Sequence, residues 1–85
     1  MTIDRYMDQQ SALEWASRRW ECVAVAAEYA HPTSIGDRIA ILLVVGQNGQ
    51  QYRGIGYSGI APQGVSIWAK AVADLLRQEP DGRQA

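Results

Sequence analysis

The chain has little of what most catalytic and metal-binding chemistry is built from. It carries one cysteine, Cys22, and one histidine, His31. A lone thiol excludes a disulfide within the chain and a multi-cysteine zinc site. Cys22 also lies in an apolar run, which disfavours its thiolate. His31 has only Ser34 and Asp37 close to it in sequence, and such residues are ordinary in loops. No triad or pair of carboxylates stands out, so neither an enzyme nor a cofactor is expected. Of the eight basic residues only Lys70 is a lysine, and nine carboxylates balance them. That balance suits neither a basic nucleic-acid footprint nor an acidic mimic. The longest unbroken apolar run, Ile39 to Val45, is too short to span a bilayer. A charged segment followed by an apolar stretch is lacking at the N-terminus, so a cytoplasmic location is expected.

What is present is an 85-residue chain, 47% apolar, enough for one folded domain. A domain of this size buries only about 60% of the surface its unfolded chain exposes, and often leans on a partner. Residues 1–10 are polar without a period and read as a flexible arm, from which Ile3, Tyr6 and Met7 can dock on a partner. The domain is expected over residues 11–79 and a polar tail over 80–85.

Ser11-Ala12-Leu13-Glu14 has the form of a capping box and predicts a helix from about Ala12. Ala12, Trp15, Ala16 and Trp20 recur at helical spacing, and Arg18 and Arg19 fall where cations oppose the helix dipole. Glu21 to Ala30 fits two readings. Its valines suit a strand with Val23, Val25, Ala27 and Tyr29 on one face, while its alanines suit a longer first helix. His31-Pro32 ends the segment in either case.

The clearest signal is a hairpin. Arg38 to Val45 is rich in β-branched residues, Asn48-Gly49 has the signature of a type I′ turn, and Gln51 to Ser58 returns. A two-residue turn pairs Val45 with Tyr52, Leu43 with Gly54 and Ile41 with Gly56. One face then carries Ile39, Ile41, Leu43, Val45 and Tyr52, with Gly54 and Gly56 thinning the sheet for a helix. The other carries Ala40, Leu42, Val44, Arg53, Ile55 and Tyr57. The last helix shows Val65, Trp68, Ala69, Val72, Leu75 and Leu76 on one stripe and stops at Pro80-Asp81-Gly82.

Gly54 to Gly59 matches GxGxxG as a string, but a dinucleotide fingerprint needs a strand–turn–helix context that a hairpin arm does not supply. Arg18, Arg19, Arg38 and Arg53 are interspersed with Glu14, Glu21 and Asp37, as on a solvated surface. Both hairpin faces are apolar, unusual for a sheet open to water. Leu42, Val44, Ile55 and Tyr57, rimmed by Arg53, would form a protein-binding patch unless the first helix or the Tyr29 strand covers them. Trp15, Trp20 and Trp68 are too large for all to be fully buried, and an exposed Trp is a typical hot spot.

With Glu21 to Tyr29 as a strand, the order of elements resembles the double-stranded RNA-binding domain, best around Gly46 to Ser58 and the alanine-rich helix after it. That family touches RNA through its first helix, a Gly-Pro-x-His loop and a lysine cluster opening its last helix. Here the loop reads Ala30-His31-Pro32, and only Ala69-Lys70 matches the lysine motif. The resemblance therefore implies the fold without the family's RNA surface, since one lysine cannot span duplex phosphates. Small chains of this make-up also resemble accessory proteins of phages and mobile elements, including anti-CRISPR inhibitors of bacterial defence complexes.

The expected fold is α+β: an N-terminal helix, an antiparallel meander of two to three strands and a C-terminal amphipathic helix on the sheet. The expected function is a non-catalytic protein-binding module of the inhibitor kind, using Leu42, Val44, Arg53, Ile55 and Tyr57. The alternative is a nucleic-acid-binding domain contacting through Arg18, Arg19, His31 and Lys70. A homodimer pairing hairpin edges or apolar faces is a third reading. No membrane partner is expected.

Overall fold

The computed structural model describes residues 5–20, 23–46, 49–59 and 64–78. Five elements follow in order: α1 (Gln9–Trp20), β1 (Val23–Ala30), β2 (Arg38–Val45), β3 (Gln51–Tyr57) and α2 (Ile67–Gln78). The strands form one antiparallel sheet in the order β1-β2-β3. Both helices contribute to a single core on one side of it. This is the expected α+β architecture, with the α-β-β-β-α order that the resemblance implies. Cys22, Asn48, the loop around Pro62, the tail 80–85 and the side chain of Trp20 lie outside the described residues.

The segment after α1 is a strand. It pairs with β2 along its whole length, from Val23 opposite Val45 to Ala30 opposite Arg38. The helix propensity of its alanines gives way to this ladder.

Helix α1 starts earlier than the capping box predicts. The Ser11 N–H donates to Asp8 Oδ1 at 2.8 Å, which makes Asp8 the N-cap and Ser11 the third helical residue. That hydrogen bond holds the Asp8 carboxyl below its ordinary pKa. The arm expected over residues 1–10 is corrected in its second half. Met7 is part of the core, and α2 clasps the chain beside it. The Ser66 N–H donates to the Arg5 carbonyl at 2.7 Å. The Ser66 hydroxyl donates to the Met7 carbonyl at 2.6 Å and accepts from the Ala69 N–H at 3.1 Å. Ser66 is therefore the cap of α2, and Val65 packs on the core from just outside the helix.

The hairpin register differs by one residue from that of a two-residue turn. The Gly46 N–H donates to the Gln50 carbonyl at 2.8 Å, and the Gly49 N–H to the Gly46 carbonyl at 3.0 Å. Gly46 and Gln50 thus close the hairpin with three residues between them. Gly49, with φ +85°, supplies the left-handed conformation such a loop needs at its last position. Val44 then opposes Tyr52, Leu42 opposes Gly54 and Ala40 opposes Gly56. A slip of one residue moves the whole of β3 to the other side relative to β2.

The inner face, towards the helices, consequently carries Ala40, Leu42, Val44, Tyr52, Gly54 and Gly56. The two glycines do thin the sheet under α2. A methyl group at Gly54 would fall on the Ala71 carbonyl oxygen, and one at Gly56 on the Ile67 carbonyl oxygen. Trp68 is buried against this face, its indole N–H donating to Glu28 Oε1 at 3.1 Å. Arg38 Nε donates to the other Glu28 oxygen at 2.6 Å. Arg38 first, and Trp68 second, hold the Glu28 carboxyl below its ordinary pKa.

Candidate protein-binding face

The outer face of the sheet is built by alternation. Side chains one residue out of step with the core residues point the other way. They are Val23, Val25, Ala27 and Tyr29 on β1, and Ile39, Ile41, Leu43 and Val45 on β2. On β3 they are Gln51, Arg53, Ile55 and Tyr57. No described element lies over them. Val23, Val25 and Tyr29 are 65%, 51% and 54% exposed, and the β2 residues, flanked by strands on both sides, are half-buried. Arg53 is the only charged residue in this set. With Gln51, Gln78 and the edge of Leu43 it lines a shallow depression at one corner. At the other end of β3, the Tyr57 and His31 rings lie 6.3 Å apart and tilted.

The edge of the sheet beside β3 is closed by α2. Lys70, Asp74 and Gln78 recur every four residues on the helix flank facing the strand. The Lys70 ammonium donates to the Tyr57 carbonyl at 2.9 Å. The Ile55 N–H donates to Asp74 Oδ2 at 2.9 Å. The Gln78 amide donates to the Arg53 carbonyl at 2.8 Å. These three contacts take up backbone groups that an edge strand otherwise offers to another strand.

The structure divides the expected patch. Arg53, Ile55 and Tyr57 stand together on the outer face. Leu42 and Val44 do not join them: both are fully buried under the helices. The cause is the register, because the three-residue loop sets Leu42 beside Gly54 rather than beside Arg53 or Ile55. The outer neighbours of Arg53, Ile55 and Tyr57 are instead Ile39, Ile41 and Leu43, with the β1 row beyond. The alternation of Val23, Val25, Ala27 and Tyr29 already marked that row as one face; only its place in the sheet was missing.

The residues of the nucleic-acid alternative do not converge. Lys70 is engaged with the Tyr57 carbonyl, while the His31 ring lies 6.3 Å from the Tyr57 ring. Arg18 and Arg19 sit in the last turn of α1, before β1 begins, whereas His31 follows its end. The Arg19 guanidinium lies 5.4 Å from the Trp15 ring centre. His31 Nδ1 accepts from the Thr33 N–H at 3.2 Å. Ser34 and Asp37 bond to each other, and the Ser58 hydroxyl donates to Asp37 at 3.3 Å. These contacts tie the β1–β2 loop to the end of β3.

Among the described residues, no three of His, Cys, Asp and Glu gather closely enough to hold a metal ion. No described helix is long and apolar enough to cross a membrane. No protein-family model, curated protein or solved structure matches the chain.

Proposed function

We propose that the chain is a non-catalytic protein-binding module that works by burying the outer face of its sheet against a protein surface. One observation carries this reading: β1, β2 and β3 present a continuous apolar face with a single charge, and no described element covers it. Contiguous exposed apolar surface of that kind is characteristic of interaction sites. Ile41, Leu43 and Ile55 form its centre. Tyr29 and Tyr57 supply aromatic contacts, and Arg53 supplies a charged rim. An inhibitor that occupies the surface of a larger complex, as small mobile-element proteins do, is one form such a module takes.

The test is affinity capture from cells expressing the chain, with the tagged wild type beside an Ile41→Thr/Ile55→Thr variant. Threonine keeps the strand propensity and removes apolar surface. The wild type is expected to retain a stoichiometric protein, either another copy of the chain or a different one, and the variant to lose it. Equal retention by both, or retention of nothing, would sink the reading.

A further inference from the structure

We propose that the partner of the outer face is the same face of a second copy, so that the working unit is a two-fold dimer with its two sheets stacked. The inference rests on the reading above and names the partner.

The first argument is the distribution of side-chain bulk. The core-facing side of the sheet carries alanine and glycine at Ala24, Ala26, Ala40, Gly54 and Gly56, with Leu42 and Val44 as its large aliphatic residues and Tyr52 and Glu28 towards its rim. The uncovered side carries Ile39, Ile41, Leu43, Val45 and Ile55. A sheet apolar on both faces is the pattern of a sheet buried on both faces. The largest fully buried side chains are Leu42, Leu75, Val44 and Val72, a thin core for a chain that is marginal on its own. Permanent cover requires a partner that is always present in equal amount, and a second copy meets that condition.

The second argument is charge. A two-fold contact sets a surface against itself, so the surface must tolerate its own charges. Arg53 is exposed and displaced to a corner of the face. A two-fold axis parallel to the sheet, midway between the two copies and passing over the middle of β2, carries it away from its own copy. The centre, at Ile41 and Leu43, is uncharged.

The third argument is area. Strands of seven to eight residues, spaced about 4.8 Å and rising about 3.3 Å per residue, give a face of about 14 by 25 Å. Upright branched side chains raise this to about 500 Å² of accessible surface, so two copies bury about 1,000 Å², the lower bound of a specific interface. Sheets stacked in this way cross at about −30° with their backbones about 10 Å apart. The fourth argument is the edge. With Lys70, Asp74 and Gln78 on the β3 backbone, sheet extension is closed at that side, and pairing through the β1 edge is the competing mode that the central-strand variant below separates from pairing through the face.

The experiment measures the mass of the full chain in solution from about 1 to about 500 µM, a span over which a micromolar dimer passes from free to paired. The expected mass rises to twice the 9.4 kDa of one chain. An Ile41→Thr/Leu43→Thr variant with unchanged circular dichroism is expected to dissociate at least about 100-fold more readily. A wild type at one-chain mass throughout would overturn the dimer. So would a dimer indifferent to these substitutions, because both lie on the central strand and an edge-paired dimer would not feel them. Tyrosine nitration of the wild type makes the result independent of whether the variant folds. Tyr29 and Tyr57 should become protected as concentration rises, while Tyr6, 75% exposed and ahead of α1, stays reactive; protection that does not depend on concentration would count against pairing. A one-chain mass together with capture of a different protein would refute the dimer and leave the protein-binding reading standing. The protein-binding reading falls separately, where nothing is captured or where outer-face variants bind as the wild type does.

Discussion

The two faces of the sheet are made from the same three strands and answer to different constraints. On the inner face, α2 comes so close that β3 has room for no side chain at Gly54 and Gly56, and α1 meets the core through Ala12 and Ala16. Small residues are there because helix backbone must approach sheet backbone. On the outer face no described element approaches, and it nevertheless carries Ile39, Ile41, Leu43, Val45 and Ile55. Their bulk has no counterpart among the described elements. Side-chain size on the inner face is thus explained by packing in one chain, while size on the outer face calls for packing against another.

That contrast is broken most severely at Gly56. A Gly56→Ala methyl group would meet the Ile67 carbonyl and stand 2.9 Å from the Ala71 nitrogen, both helix backbone that cannot turn aside. The expected loss is about 3 kcal/mol or more, a large part of the stability of a small domain, read as a drop in the urea midpoint. Adjacent residues on β2 sharpen the comparison. Leu42→Ala removes a fully buried side chain and should cost about 2–5 kcal/mol. Leu43→Ala, one residue on and half-buried on the outer face, should cost less than about 1 kcal/mol when measured at concentrations where chains are separate. Equal losses at the two positions would mean that the outer face is covered within the chain itself.

A third, smaller effect concerns the closed edge. Asp74→Ala takes the carboxylate from the Ile55 N–H and should destabilise the chain by about 1–2 kcal/mol. It also frees an edge group for strand pairing, so light scattering on storage should rise relative to the wild type.

How much of this was legible beforehand follows from which alternatives differ in their pattern. The α2 stripe, the hairpin strands and the role of the paired glycines could be read because period and turn chemistry each point one way. The register could not. Asn48-Gly49 suits both a two-residue turn and a three-residue loop ending in a left-handed glycine. Burial could not arbitrate, because Ile39, Ile41 and Leu43 are as apolar as Leu42 and Val44. Misplacing the loop by one residue puts Leu42 and Val44 on the same face as Arg53, Ile55 and Tyr57, whereas the register sets them on opposite faces. The start of α1 failed for a similar reason. Asp8 and Ser11 are both good N-caps three residues apart, and the docking of Met7 into the core, a tertiary contact, favours the earlier one.

The smallest expected effect lies where the inner face meets its rim, at Glu28. Arg38 and the buried Trp68 both bind the Glu28 carboxylate, and its pKa is lower in the folded chain than in the unfolded one. A carboxyl shifted in that direction contributes stability that is fully present above its ordinary pKa and disappears as pH falls through the lowered folded value. Asp8 is shifted the same way by its cap to Ser11, so acid sensitivity of the wild type alone does not isolate Glu28. Glu28→Gln does, since the amide oxygen still accepts from the Trp68 indole while no longer titrating. The thermal midpoints of wild type and variant should differ at neutral pH, with the wild type higher, and converge in acid as Glu28 takes up its proton. A gap that persists unchanged into acid would show that Glu28 holds Trp68 by shape and hydrogen bonding alone, with its charge contributing nothing to the closure of the inner face.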